Sequence, residues 1–167
     1  TQQEVPTLAP GTDVAMRYGD GRWSDGDVQM LFNERVEPVC APSLANRLAE
    51  HPGSLASAYL IHVDFSDRHW ITWPQYLART GQAAAGSAKG LRFSNYVQAT
   101  QAATSGHGVM LGWRSITGDQ VANGLLIPVL SKPLLPADAY YAVRSHRTRN
   151  PDGAQALIDW LKGVADA

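Results

Sequence analysis

Residues 91–113 read LRFSNYVQATQAATSGHGVMLGW and contain a complete strand, helix and strand. Leu91–Phe93 predicts a brief strand, and Ser94 or Asn95 is a good N-cap for the helix that follows. A glycine ends this helix, and Val109–Trp113 predicts the next strand. This order of elements is typical of an α/β protein.

The same alternation extends outward from this unit in both directions. Pro38 removes a donor from the ladder, so we expect its strand at an edge or at a crossing point. Further strands are predicted at 13–18, 31–40, 59–63, 125–130 and 140–145, a loop at 81–90, and helices beginning near Pro42, Thr72, Thr117 and Asn150. Helices and strands that alternate in this way predict an α/β fold with a largely parallel sheet.

The composition excludes several classes of protein. With 44% hydrophobic and 17% charged residues, the 167-residue chain is neither disordered nor collagen-like, and its single cysteine, Cys40, cannot form an internal disulfide. A net charge of −1 provides no general positive field for holding nucleic acid. No apolar run approaches the ~18–20 residues that cross a bilayer, so we expect a cytoplasmic protein.

One cluster combines side chains that bind metals. His62, Asp64, Asp67 and His69 lie within eight residues and supply enough nitrogen and oxygen ligands for zinc. Their spacing matches no mechanistic motif such as HExxH, so a capped turn with solvated charges is the favoured interpretation. A small metal-dependent hydrolase that uses these four residues remains the alternative.

Other chemical motifs are incomplete. Ser105 and His107 are close in sequence, but a serine hydrolase needs its nucleophile between a strand and a helix, and here the serine follows a helix. The glycine pairs at 19–21 and 106–108 do not extend to a nucleotide-binding fingerprint. We therefore predict no catalytic residue, no metal ligand and no cofactor.

Aromatic residues are concentrated in the middle third of the chain. Trp73 follows a helical spacing that is typical of core packing. For Tyr96 and Trp113, both packing and ligand contact stay open, because pockets in α/β sheets form at the ends of strands and the starts of helices. A half-cage of these two rings for a choline-like cation is one hypothesis.

The ordered pieces of the chain resemble a known family. They are DVAMRYG at 13–19, PVCAP at 38–42, AATSGHGVMLG at 102–112, VANGLL at 121–126, and Tyr140-Tyr141 before a C-terminal Trp160-Leu161 helix. Together they resemble the effector-binding (substrate-binding) domain of LysR-type transcriptional regulators, in particular the subgroup that includes the glycine-cleavage regulator. The resemblance covers about residues 13–163.

This resemblance implies an architecture of periplasmic-binding-protein type. Two Rossmann-like subdomains would be joined by two crossing strands, with residues 1–39 and 126–167 in the first and residues 40–125 in the second. Family members begin with a winged helix-turn-helix, and their effector domain opens with a strand, a helix and a second strand. Since this sequence starts just before the strand at Asp13, the first subdomain is expected to be incomplete.

The resemblance also implies a function. A small effector, such as an amino acid, a betaine-like compound or a carboxylate, would bind between the subdomains and shift their orientation. The full-length protein would bind DNA through its N-terminal module as a homodimer or homotetramer; a solute-binding protein is a further alternative. The expected effector contacts are Arg17, Tyr18, Gly19, Ser94, Asn95, Tyr96 and Trp113.

Overall fold

Eight strands and five helices lie in the part of the chain that the computed structural model describes, which is residues 8–50, 58–64, 69–82, 90–130 and 132–165. The strands are β1 (Val14–Gly19), β2 (Gly26–Asn33), β3 (Val36–Cys40), β4 (Leu60–Val63), β5 (Gly90–Phe93), β6 (Val109–Trp113), β7 (Ile127–Pro128) and β8 (Ala139–Ser145). The helices are α1 (Pro42–Ala49), α2 (Trp73–Thr80), α3 (Tyr96–Thr104), α4 (Arg114–Ala122) and α5 (Pro151–Ala165).

The chain divides into two units. The first combines Thr1–Glu34 with Pro136–Ala167, and the second is Arg35–Leu135. The expected division placed residues 35–39 and 126–135 in the first subdomain, whereas both segments belong to the second unit here. No helix in the described ranges is long and apolar enough to span a membrane.

The first unit is a three-stranded sheet with one helix packed on it. β8 lies between β1 and β2 and is antiparallel to both. Leu31 and Ala142 of the sheet pack against Ile158 of α5, which is fully buried. The predicted start of α5 is confirmed, because the Asn150 side chain accepts a hydrogen bond from the Gly153 amide at 3.0 Å.

The second unit contains a five-stranded mixed sheet in the order β5-β4-β6-β3-β7. β4 is parallel to β5 and β6, whereas β3 is antiparallel to β6 and β7. The prediction of a largely parallel sheet is therefore wrong, since among the described strands only the pairs that include β4 are parallel. The alternation of apolar residues specifies a strand but not the direction of its neighbour.

Of the two positions expected for the strand of Pro38, an edge or a crossing point, the edge is wrong. β3 lies between two strands, β6 and β7, and the carbonyl of Pro38 accepts a hydrogen bond from the Val129 amide at 3.0 Å. The paired register of β3 and β7 covers Val39 and Cys40, so Pro38 lies just beyond the end of this ladder, where a missing donor is tolerated. Pro128 does lie in an edge strand, as its missing amide hydrogen requires.

Local sequence signals predicted most of the other helix and strand boundaries. Pro42 starts α1, Asn95 caps α3, and Gly106 adopts the left-handed conformation after α3 with φ of +77°. The predicted single strand at 31–40 is two strands, β2 and β3, and α4 begins three residues before the predicted start at Thr117. Most of the predicted loop at 81–90 lies outside the described residues.

Candidate functional site

A cavity of about 390 Å³ lies at the carboxyl end of β4 in the second unit. Because β4 and β5 are parallel, their carboxyl ends meet at one edge of the sheet, which is where α/β folds bind ligands. The lining of the cavity includes residues from β4, β5 and β6 and from the segment that leads into α2, among them His62, Asp64, Trp70, Thr72, Arg92 and Leu111.

The segment before α2 is fixed as one wall of this cavity. The indole nitrogen Nε1 of Trp73 donates a hydrogen bond to the carbonyl of Ile61 on β4 at 2.9 Å. The side chain of Gln75 accepts one from the backbone amide of Thr72 at 2.8 Å, as expected for a capping box. Both Trp73 and Ile61 are buried, so this wall is held by the core of the unit.

An ion pair lies at the exposed side of the cavity. Arg92 donates from Nε to Asp64 Oδ2 at 3.0 Å and from Nη2 to Asp64 Oδ1 at 2.5 Å. The Arg92 side chain is 65% exposed and that of Asp64 is 49% exposed. The Asp64 amide in turn donates to the carbonyl of Phe93 on β5 at 2.8 Å, so the backbone positions both charges.

His62 lies beside this ion pair. It is opposite Arg92 in the parallel register and two residues before Asp64, and its buried Nε2 atom has no hydrogen-bond partner in the described part of the structure. Burial lowers the pKa of His62, the nearby Arg92 guanidinium lowers it further, and Asp64 opposes the shift. The imidazole is therefore neutral at pH 7.

Three aromatic residues form a cluster behind the cavity. Trp70, which lines the cavity, stacks on Trp113 with ring centroids 4.2 Å apart and contacts the edge of Tyr96 at 5.4 Å. The Tyr96 hydroxyl accepts from the Trp113 amide at 2.9 Å and donates to the carbonyl of Leu111 at 3.1 Å. Trp113 is fully buried and Tyr96 is 7% exposed, so this geometry favours packing over an open cation cage.

The expected contacts at the start of α3 are close together. The Asn95 side chain accepts from the amides of Val97 at 2.8 Å and Gln98 at 3.4 Å, two of the donors that a helix leaves unpaired at its start. Ser94 and Asn95 are exposed, whereas Tyr96 is buried. An anion at this helix end would therefore compete with the Asn95 cap.

The expected contacts in the first unit are held by their own turn. Both terminal nitrogens of Arg17 donate to Asp25 at 2.8 Å, and the guanidinium lies 5.5 Å from the ring centre of Trp23. Tyr18 packs on Tyr140 of β8. A Cβ on Gly19 would meet the Trp23 ring at 2.9 Å, so only glycine fits there without a shift. That residues of both units contact one effector stays a prediction.

The metal cluster of the alternative hydrolase hypothesis does not assemble within the described residues, where no group of three or more metal-binding side chains could hold an ion. Asp67 lies outside the described ranges, and Asp64 pairs with Arg92. A guanidinium at this place disfavours a second cation through charge repulsion.

Sequence reasoning missed Arg92 and Trp70 as cavity residues. The available signal for Arg92 was its place between Leu91 and Phe93 in a predicted strand that leads directly to the α3 cap. A charged residue near the carboxyl end of a predicted strand faces the edge where ligands bind. Trp70 directly precedes the helix that was predicted to begin near Thr72, and this position also indicated a cavity wall.

The two α/β units, one with an antiparallel sheet and one with a mixed sheet, define a protein of periplasmic-binding-protein-like type. The model of the LysR substrate binding domain family matches residues 1–166, so the chain belongs to this family. It is an effector-binding domain of the LysR type, which confirms the resemblance and the α/β fold class inferred from the sequence.

Curated relatives support the same assignment. The glycine cleavage system transcriptional activator of Escherichia coli (strain K12) is 33% identical over 162 residues, which cover 96% of this chain and 52% of the relative. The HTH-type transcriptional activator AmpR of Rhodobacter capsulatus is 34% identical over 159 residues, which cover 95% of this chain and 53% of the relative. The chain spans about half the length of these relatives, both of which are transcriptional activators.

Solved structures show the same fold. The AmpR effector binding domain from Citrobacter freundii superposes with a TM-score of 0.72 at 22% identity and covers 93% of this chain and 76% of that one. The effector domain of AmpR from Pseudomonas aeruginosa gives a TM-score of 0.70 at 24% identity. The match covers 93% of this chain and 73% of that one.

Proposed function

We propose that this chain is the small-molecule sensor of a cytoplasmic, DNA-binding transcription regulator and that the effector binds in the cavity at the carboxyl end of β4. The observation that carries the proposal is the cavity itself, which combines apolar walls with a few polar groups at the edge of a parallel strand pair. Membership of the LysR family supports a regulatory rather than a catalytic role.

The proposed effector is a small amino acid, a carboxylate or a betaine-like compound. Arg92 is exposed at the cavity and can pair with a carboxylate, while the ring of Trp70 can contact an apolar or cationic part of the ligand. The effector acts by binding one conformation more tightly than another, so that its concentration sets their populations. DNA contact and assembly into a homodimer or homotetramer belong to the full-length regulator.

Calorimetric titration of the full-length regulator tests this proposal. Amino acids, short carboxylates and betaines are titrated in turn, and intrinsic tryptophan fluorescence is followed in parallel because Trp70 lines the cavity. We expect saturable binding of at least one compound. No heat and no fluorescence change with all three classes would contradict the proposal.

A matched pair of variants locates the site. Trp70→Ala removes a wall of the cavity, whereas Trp160→Ala removes a tryptophan that is 62% exposed on α5 in the first unit. We expect Trp70→Ala to weaken binding on the order of 10-fold or more, as for loss of an aromatic contact, and Trp160→Ala to bind as the parent does. Circular dichroism and the melting temperature verify that Trp70→Ala is folded.

A further inference from the structure

The ion pair of Asp64 and Arg92 gives the cavity two opposite charges side by side. Both side chains line the cavity, and both are substantially exposed. An exposed ion pair of this kind contributes only ~0–1 kcal/mol to stability. The pair therefore contributes little to folding, and its importance lies in its position at the cavity.

The pair keeps hydrogen-bonding capacity after it forms. Arg92 uses Nε and Nη2 for Asp64, and within the described residues its Nη1 makes no hydrogen bond. The carboxylate of Asp64 has about four acceptor sites, of which Arg92 occupies two. A ligand can therefore donate to Asp64 and accept from Arg92 without breaking the pair.

This arrangement discriminates by charge. A ligand with only a carboxylate is attracted by Arg92 and repelled by Asp64, and a ligand with only an ammonium group meets the reverse balance. A ligand with both groups on one carbon satisfies both residues at once. Because β4 and β5 place the two charges through the backbone, little ordering is needed when the ligand binds.

We infer that Asp64 and Arg92 are specificity-determining residues that select a zwitterionic α-amino acid, with its ammonium group on Asp64 and its carboxylate on Arg92. The side chain of the amino acid then lies against the apolar wall that includes Trp70 and Leu111. This inference rests on the proposed function, because it requires that the cavity binds the effector.

Matched ligands test the inference by calorimetry on the full-length regulator. L-valine, 3-methylbutanoate and 2-methylpropylamine share one carbon skeleton and differ only in the presence of the ammonium or carboxylate group. L-alanine, propanoate and ethylamine form a second set with a smaller side chain. In at least one set, we expect the amino acid to bind on the order of 10-fold more tightly than either partial ligand.

Two variants test which group of the ligand each charged residue recognises. Asp64→Asn removes the negative charge and should abolish the preference for the amino acid over the carboxylate. Arg92→Gln should abolish the preference for the amino acid over the amine. The control variants Asp27→Asn and Arg144→Gln alter an ion pair of the same chemistry in the first unit, outside the cavity lining, and should leave both preferences unchanged.

The outcomes separate this inference from the proposed function. If a carboxylate or a betaine binds and the amino acids bind no better, the cavity is an effector site and the assignment of Asp64 and Arg92 is wrong. A preference that survives in both variants also overturns the assignment. If no compound of any class binds, the proposed function fails and this inference fails with it. Unchanged melting temperatures of Asp64→Asn and Arg92→Gln exclude misfolding as the cause of a lost preference.

Discussion

The two units each contain an arginine that makes two hydrogen bonds to one aspartate, and burial gives the two pairs different roles. In the first unit, the side chains of Arg17 and Asp25 are 6% and 19% exposed. In the second unit, those of Arg92 and Asp64 are 65% and 49% exposed. The chemistry of the contact is the same, and the access of water to it differs.

This difference explains which arginine can meet a ligand. Arg17 is enclosed by Asp25 and the ring of Trp23, and Asp25 also accepts the amide of Leu8. The loss of one partner from a buried pair leaves an uncompensated charge, which destabilises the fold strongly. An exposed pair contributes little to stability and stays accessible. The comparison supports a structural role for Arg17 and the proposed binding role of Arg92, while an effector contact of Arg17 stays a prediction.

The largest effect is expected for Asp25→Asn. It leaves the Arg17 guanidinium buried without its carboxylate, so the free energy of unfolding should fall by about 3 kcal/mol. Urea denaturation followed by circular dichroism measures this change, with Asp27→Asn, at an exposed ion pair of the same unit, as the control. A loss as small as that of the control would contradict the structural role of the buried pair.

In the second unit, stability should depend on the aromatic cluster rather than on the ion pair. Tyr96→Phe removes the hydroxyl that accepts from the Trp113 amide and donates to the Leu111 carbonyl, both in the buried core. We expect the free energy of unfolding to fall by about 2 kcal/mol, because buried polar groups lose their partner. Tyr59→Phe, at a tyrosine that is 67% exposed, is the control and should have almost no effect in the same urea titration.

The two units should also respond to acid in different pH ranges. The hydrogen bonds from Arg17 lower the pKa of Asp25 from 3.8 to about 2, so the stabilisation that this carboxylate provides is complete above pH 4 and is lost as the pH falls towards 2. Burial lowers the pKa of His62 below 6.5, so protonation opposes folding as the pH falls below that value. Stability in the second unit therefore begins to decline at higher pH.

Urea midpoints measured between pH 7.5 and pH 3 test this order. His62→Gln should flatten the decline below pH 6.5, and Asp25→Asn should flatten only the decline below pH 4. Identical pH profiles of the His62→Gln variant and the parent would contradict the assignment to His62.

Structural features that depend on residues close together in the chain could be predicted from the sequence. The caps at Thr72, Asn95 and Asn150 depend on a side chain and an amide two or three residues away. Thr72 and Asn150 were located correctly, and Asn95 was one of two candidates for its helix. The insertion of β8 between β1 and β2 brings together segments more than a hundred residues apart. No local pattern encodes such a pairing, so neither the antiparallel sheet of the first unit nor the mixed sheet of the second was predicted.

The same limit applies to the candidate site. The resemblance implied that Arg17 faces an effector, but its partner Asp25 lies across a turn whose course the sequence did not define. Arg92 was missed because its contact with Asp64 depends on the parallel register of β4 and β5, which pairs His62 with Arg92. A shift of this register would separate the two charges.

The smallest effect is expected for Asp64→Asn, and its dependence on salt decides whether the comparison of the two ion pairs is sound. The change should lower the free energy of unfolding by less than ~1 kcal/mol, since an exposed pair contributes little. In 1 M NaCl, where the Debye length is about 3 Å, this loss should approach zero, whereas the loss in Asp25→Asn should persist because buried charges are screened much less.

Urea titrations of both variants and the parent, at 50 mM and 1 M NaCl, measure the two responses. A large loss in Asp64→Asn that is insensitive to salt would show that the Asp64–Arg92 pair stabilises the fold as Arg17 and Asp25 do, and the distinction between a structural and a ligand-accessible pair would no longer hold.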